Sequence, residues 1–178
     1  MNDLVKNIFR LAIFILVQVF VLNKIPHLHR FIVPYLYFLF VLWLPFSLSR
    51  IGLLFAGFTC GLALDYFTLT PGLHAAACLL IAYVRPFLIL LLIPKDKAEF
   101  NFSQPSPSAM GWAPYSVYVL VLTLLHHAYL FFLELIQVGS ILDFVIKIAA
   151  GTGISLLLIF IVELLFPRKV KYRTGGAR

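Results

Sequence analysis

The stretch Ile51-Gly52-Leu53-Leu54-Phe55-Ala56-Gly57-Phe58-Thr59-Cys60-Gly61-Leu62-Ala63-Leu64-Asp65-Tyr66-Phe67-Thr68-Leu69 carries one charged residue, Asp65, and runs into Thr70-Pro71-Gly72-Leu73-His74. A helix that crosses a hydrocarbon core needs about 20 mostly apolar residues, and this run has that length. Gly57 and Gly61 are four apart, a small-xxx-small spacing that lets two helices approach closely. Asp65 lies four residues further along the same face, so one stripe carries a contact surface and an acid at its end. Pro71-Gly72 marks a tight turn, and a second apolar run starts at once, Leu73 to Ile93. His74, in the first turn of that run, is placed to approach Asp65 across the hairpin. Two apolar runs joined this tightly predict a transmembrane helical hairpin.

The same pattern continues outward in both directions. Spans are expected at about 8–22, 31–48, 51–69, 73–93, 115–137 and 141–166, the second containing Pro34 and Pro45. Spans two and three meet at Ser49-Arg50 and form another hairpin. A polar connection, 95–114, includes Ser103-Gln104-Pro105-Ser106-Pro107-Ser108, which predicts flexible, solvated chain and could divide four helices from two. Lys6 and Arg10 before an apolar run resemble a signal peptide, but Asn23-Lys24-Ile25-Pro26 offers no small-residue cleavage site. The first run is expected to be a retained span. No internal repeat is visible, so the inverted-repeat signature of many secondary transporters is missing.

Composition agrees. The chain is 62% hydrophobic and 12% charged, with 18 Phe, and its mean hydropathy is +1.02. Soluble domains are about 45–50% apolar and about 25% charged. The expected fold is therefore an all-α integral membrane protein, a compact bundle of six transmembrane helices in a single membrane domain, 1–178. Cys60 and Cys78 lie inside apolar runs and are expected as small buried hydrophobes rather than a disulfide.

The net charge of +7 sits mainly in connections and tails, so no nucleic-acid partner is expected. With the N-terminus inside, the cytoplasmic set is Lys6, Arg10, Arg50, Lys95, Lys97, Arg168, Lys169, Lys171, Arg173 and Arg178. The outer loops then hold only Lys24 and Arg30, a strong positive-inside bias. Both termini, including the basic tail 167–178, are thus expected in the cytoplasm.

Ionisable groups within spans are functional candidates by default, because each costs about 2.5–3.5 kcal/mol at a helix centre on insertion scales. They are Asp65, Arg85, His126, His127, Glu134, Asp143, Lys147 and Glu163. Asp65, Glu134 and Asp143 fall near the outer surface, with Lys147 a little deeper. Asp143 and Lys147, four apart, are expected to neutralise one another. Arg85 and Glu163 lie towards the cytoplasmic half and are expected to pair. His126 and His127 point about 100° apart on a helix, which does not suit a shared metal ion. The sixth span has another small-residue patch, Ala149-Ala150-Gly151-Thr152-Gly153.

Gly61-Leu62-Ala63-Leu64-Asp65, then Pro71-Gly72-Leu73-His74-Ala75 and Ile81-Ala82-Tyr83, resembles the signature of the bacterial rod shape-determining protein MreD family. That family shows Gly-Leu-x-x-Asp at the end of one span, a short turn, and a Leu-Gly-x-His/Arg-Ala-like entry to the next. Here the turn reads Pro71-Gly72-Leu73, without the Leu before Gly that many members carry. Pro34, Leu44-Pro45, the length and the six spans also fit. The match in motif covers about residues 30–95, and spans five and six agree in topology only.

The resemblance implies a non-enzymatic scaffold, without cofactor, in the inner membrane complex that elongates the cell. The implied partners are an MreC-like protein, a RodA-like glycosyltransferase, a class B penicillin-binding protein and an MreB-like filament. Gly57, Gly61, Asp65, Pro71, Gly72 and His74 are then the packing or partner residues, unless that stripe only packs the protein's own bundle. Arg85, Glu134, Lys147 and Glu163 are the accompanying intramembrane polar residues. The residues themselves show no nucleophile–base pair, metal-ligand spacing or phosphate loop.

The main rival is the substrate-capture subunit of an energy-coupling-factor vitamin transporter, an architecture that the MreD family resembles. It would place a small molecule near Asp65, His74, Glu134 and Lys147. Such subunits commonly carry Ala-x-x-x-Ala in the first span, where this chain has only Ala12 among bulky residues. An intramembrane enzyme using His126, His127 and Glu134 would lack an evident nucleophile or metal.

Overall fold

A computed structural model describes residues 3–25, 34–93, 104–138 and 140–168. The described residues form helices α1 (Asp3–Phe20), α2 (Leu39–Leu42), α3 (Arg50–Thr68), α4 (Leu73–Leu92), α5 (Pro107–Met110), α6 (Trp112–Val138) and α7 (Ile141–Leu165), with a 3-10 turn at Leu22–Lys24. Five helices are long and apolar enough to cross a membrane: α1, extended by its 3-10 turn, and α3, α4, α6 and α7. They coincide with five of the six expected spans to within a few residues.

The second expected span, 31–48, is not a transmembrane helix. Residues 31–33 fall outside the described part, and from Pro34 the chain is irregular except for α2. The cause is local chemistry. Proline lacks an N–H and disfavours helical backbone in the residue before it, so a helix entering Leu44-Pro45 has to stop. The α2 turn is held by Leu42 N–H to Phe38 O at 3.4 Å and Trp43 N–H to Leu39 O at 3.0 Å, and then ends.

This irregular segment still carries the chain from one end of the bundle to the other. The rings of Phe20 and Phe67, at the C-terminal ends of α1 and α3, lie 6.5 Å apart, so these two helices run in the same direction. The chain between them must return. Leu36 N–H donates to Gln18 near the end of α1, Trp43 packs edge-on against Phe14 one turn earlier, and Ser49 caps the N-terminus of α3 by accepting from Gly52 N–H at 3.1 Å. Residues 34–49 therefore run antiparallel to α1 and α3. Non-helical backbone at membrane depth is tolerated only where protein covers it. Leu36 to Leu44 meets that condition, each residue being no more than 7% exposed.

α3 and α4 form a close hairpin, and α6 lies antiparallel to both α4 and α7. The ends of α1, α3 and α6 that come first in the chain thus share one end of the bundle with the ends of α4 and α7 that come last. Lipid tails are as apolar as leucine, so burial of apolar area does not drive these helices together; close packing and hydrogen bonds do. The polar connection is less solvated than its composition suggests. Pro105 and Ser106 are buried, Ser106 caps α5, and Gln104 accepts from Arg10 at 3.3 Å.

Candidate functional site: the α3–α4 hairpin and the polar seam around residues 34–49

The residues that carry the family resemblance meet in one place. A Cβ on Gly57 would sit 2.8 Å from the Ala82 Cβ and 3.0 Å from the Cys78 carbonyl oxygen, and one on Gly61 would collide with the backbone of His74 and Ala75. Both glycines are therefore spent on bringing α3 against α4. Asp65, at 2% exposure, faces the turn. Its Oδ1 accepts from the backbone N–H of His74 at 2.9 Å and the Thr70 hydroxyl at 3.1 Å. Its Oδ2 accepts from the N–H groups of Ala75 at 3.0 Å and Gly72 at 3.1 Å.

A helix start leaves backbone N–H groups without partners and a positive end of the dipole. Asp65 answers both from the neighbouring helix, which is why an acid is stable there. The turn between the helices requires two left-handed residues, Leu69 (φ 56°) and Gly72 (φ 88°). Asp65 thus meets the backbone of His74 rather than its ring.

The His74 imidazole points instead into the bundle. Its Nδ1 lies 2.9 Å from the Tyr37 hydroxyl, which lies 2.8 Å from His126 Nε2. A hydroxyl has one proton, so it donates to one histidine and accepts from the other. His127 uses different partners. Its Nδ1 faces the Thr123 carbonyl at 2.8 Å and must carry the proton, leaving Nε2 to accept from the Ser155 hydroxyl at 3.2 Å. Ser155 in turn accepts from Tyr35 N–H at 3.2 Å. The adjacent histidines are divided between two networks. His126 Nδ1, Thr123 Oγ1 and Thr152 Oγ1 are buried with no partner.

A common task links these polar groups: they satisfy the irregular backbone of 34–44. Gln18 accepts from the N–H groups of Leu36 (2.8 Å) and Tyr37 (3.3 Å) and donates to the Pro34 carbonyl (3.0 Å). The Cys60 thiol lies 3.7 Å from the Tyr37 carbonyl. Tyr118 donates to Leu42 O at 2.9 Å, and Arg85 donates to Leu44 O and, through Nε, to Tyr118 at 2.9 Å. Leu42 and Leu44 have carbonyls that no helix continues past Pro45 to use.

Two expected ion pairs are therefore replaced. Arg85 does not pair with Glu163, because its donors serve Leu44 and Tyr118. Glu163 Oε1 instead accepts from Trp43 Nε1 (2.8 Å), from the Tyr115 hydroxyl and from Arg168 (2.5 Å), whose guanidinium lies over the Trp43 ring at 4.1 Å. Lys147 does not pair with Asp143. It bridges to Glu134 on α6 at 2.5 Å, with side chains 25% and 46% exposed.

The residues that sequence reading passed over are Gln18, Tyr35, Tyr37, Trp43, Tyr115, Tyr118 and Arg168. Cys60 and Cys78 are buried and free. Gly151 packs α7 against His127, a Cβ there falling 2.8 Å from the His127 Cδ2, whereas Gly153 faces open space. No family model, curated protein or solved structure matches this chain.

Proposed function

We propose that the protein is an MreD-like scaffold of the bacterial cell-elongation machinery, a non-enzymatic component in the inner membrane. In this reading residues 34–49 make the sixth crossing, so that both termini lie in the cytoplasm with the basic residues. The observation that carries it is the Asp65 hairpin. The residues that resemble the family signature are all engaged in building one rigid hairpin, as a framework residue set would be. Every oxygen of Asp65 is taken by backbone or by Thr70, so none remains for proton transfer or a ligand.

The role follows from the faces left over. The outward sides of α3 and α4, including Ile51, Phe55, Tyr66, Tyr83, Leu90 and Leu91, are exposed and apolar and can meet lipid or partner helices. The partners proposed are an MreC-like protein, a RodA-like glycosyltransferase, a class B penicillin-binding protein and, on the cytoplasmic side, an MreB-like filament. Depletion of the protein in its host tests this. Loss of side-wall growth, restored by the wild-type chain, is expected; unchanged growth and wall incorporation would overturn it.

The transporter-subunit reading draws on one observation, the unpartnered His126 Nδ1 in the centre of the bundle. The outer ligand site it relied on is weakened by the commitment of Asp65 to α4 and of Glu134 to Lys147.

A further inference from the structure

We propose that the end of the bundle where α6 begins and α7 ends binds a zwitterionic aminophosphate group, supplied by the headgroup of an aminophospholipid. A cavity of about 100 Å³ lies there, lined by Pro107, Ser108, Trp112, Glu163, Pro167 and Arg168. At about 30 Å³ per water, that space holds roughly three waters, enough for an ethanolamine-sized group and too little for a nucleotide.

Two of the lining residues hold unspent valences. Glu163 is 3% exposed, and all three of its donors converge on Oε1, leaving Oε2 without a partner. Arg168 uses Nη2 for Glu163 and Tyr115, leaving Nε and Nη1 without partners. An orphaned buried polar atom is costly, and more so when charged. The wall thus offers a carboxylate oxygen and two guanidinium N–H groups side by side. A simple anion would meet Glu163 and a simple cation would meet Arg168. A group with an ammonium two carbons from a phosphate answers both: the ammonium donates to Glu163 Oε2 and the phosphate accepts from Arg168.

Position selects the lipid as the source. The cavity sits at the ends of two apolar helices, where a chain leaves the hydrocarbon for the headgroup layer. Trp112, 54% exposed, and Phe166, 67% exposed, flank that level, as aromatic residues do at membrane interfaces. The Trp112 ring also suits an ammonium neighbour.

The test uses the full-length protein in nanodiscs of equal phosphatidylethanolamine, phosphatidylglycerol and phosphatidylcholine, released gently and read by native mass spectrometry. Phosphatidylethanolamine is expected to be retained at least about tenfold over the other two. Ser108 is exposed at the cavity wall, so Ser108→Phe fills the site without touching the ion pair. It is expected to cut that retention about tenfold while leaving thermal unfolding unchanged. Added O-phosphoethanolamine that displaces the lipid shows that the headgroup alone is read; failure to displace assigns the binding to the whole lipid. Equal retention of all three lipids in the wild type, the result for a cavity that holds only water, would overturn the proposal. So would undiminished retention in a folded Ser108→Phe variant.

Discussion

Asp65→Asn removes a charge and changes almost nothing in shape, which makes it the sharpest probe of the hairpin. The carboxylate accepts four hydrogen bonds, two on each oxygen. An asparagine keeps one oxygen and turns the other position into a donor. Whichever way the amide faces, two of the four donors lose their acceptor. If Nδ2 takes the Oδ2 position, the N–H groups of Gly72 and Ala75 confront another N–H; if it takes the Oδ1 position, His74 N–H and the Thr70 hydroxyl do. Each buried donor left unsatisfied costs about 1–3 kcal/mol, so the variant should lose about 2–6 kcal/mol.

Native proteins hold only about 5–15 kcal/mol in total, so this is a large fraction of the fold. Asp65→Ala, which removes all four acceptors, should lose more. The assay is reversible unfolding in mixed SDS micelles or bicelles, with the unfolding equilibrium as readout. A shift towards unfolding of at least about 30-fold is expected for Asp65→Asn. A variant as stable as the wild type would refute the claim that Asp65 holds the start of α4.

The glycines form a graded series in the same assay. Gly61→Ala should be the most destabilising, because its Cβ meets backbone; Gly57→Ala should be milder; Gly153→Ala, with nothing within 4 Å, should be neutral or gain up to about 1 kcal/mol of helix propensity. Gln18→Leu should loosen residues 34–37 by removing three hydrogen bonds, read as faster amide hydrogen exchange at Leu36 and Tyr37 with α3 unchanged. Arg85→Ala and Glu163→Ala should each be strongly destabilising yet add nearly independently, since the two side chains share no partner; coupling above about 1 kcal/mol would contradict the assignment. Glu134→Ala should cost no more than about 1 kcal/mol, as its pair with Lys147 is half in the open.

Five long helices were legible because each is a run of apolar residues bounded by a turn or a charged tail. The Gly57–Gly61–Asp65 stripe was legible for a related reason: residues four apart share a face, and an acid at the end of an apolar run needs a local partner. Phe31–Leu48 was misread because hydropathy registers depth and not conformation. Pro34 and Pro45 bracket a stretch that can be buried without being helical, and Gln18 in the middle of α1 was the sign that foreign backbone would need a hydrogen-bonding partner there. Attention to ionisable groups alone passed over it.

The ion pairs were misassigned for a different reason. Depth along a helix narrowed the choice to Arg85 or Glu163, but carbonyls of an irregular segment compete for donors, and no sequence pattern marks them. Arg168 was counted with the basic tail, while the structure turns it inward over Trp43. The tyrosines at 37, 115 and 118 looked like ordinary filling of helix surfaces. Each puts its hydroxyl to use only once the chain is folded around 34–44.

Affinity purification of the tagged protein from gently solubilised native membranes, with mass spectrometry of what accompanies it, decides between scaffold and transporter subunit. The scaffold account predicts an MreC-like protein together with a RodA-like glycosyltransferase or a class B penicillin-binding protein, lost when Asp65→Ala unfolds the hairpin. Recovery of a paired-ATPase module with its transmembrane coupling subunit, and no wall-synthesis protein, would contradict it.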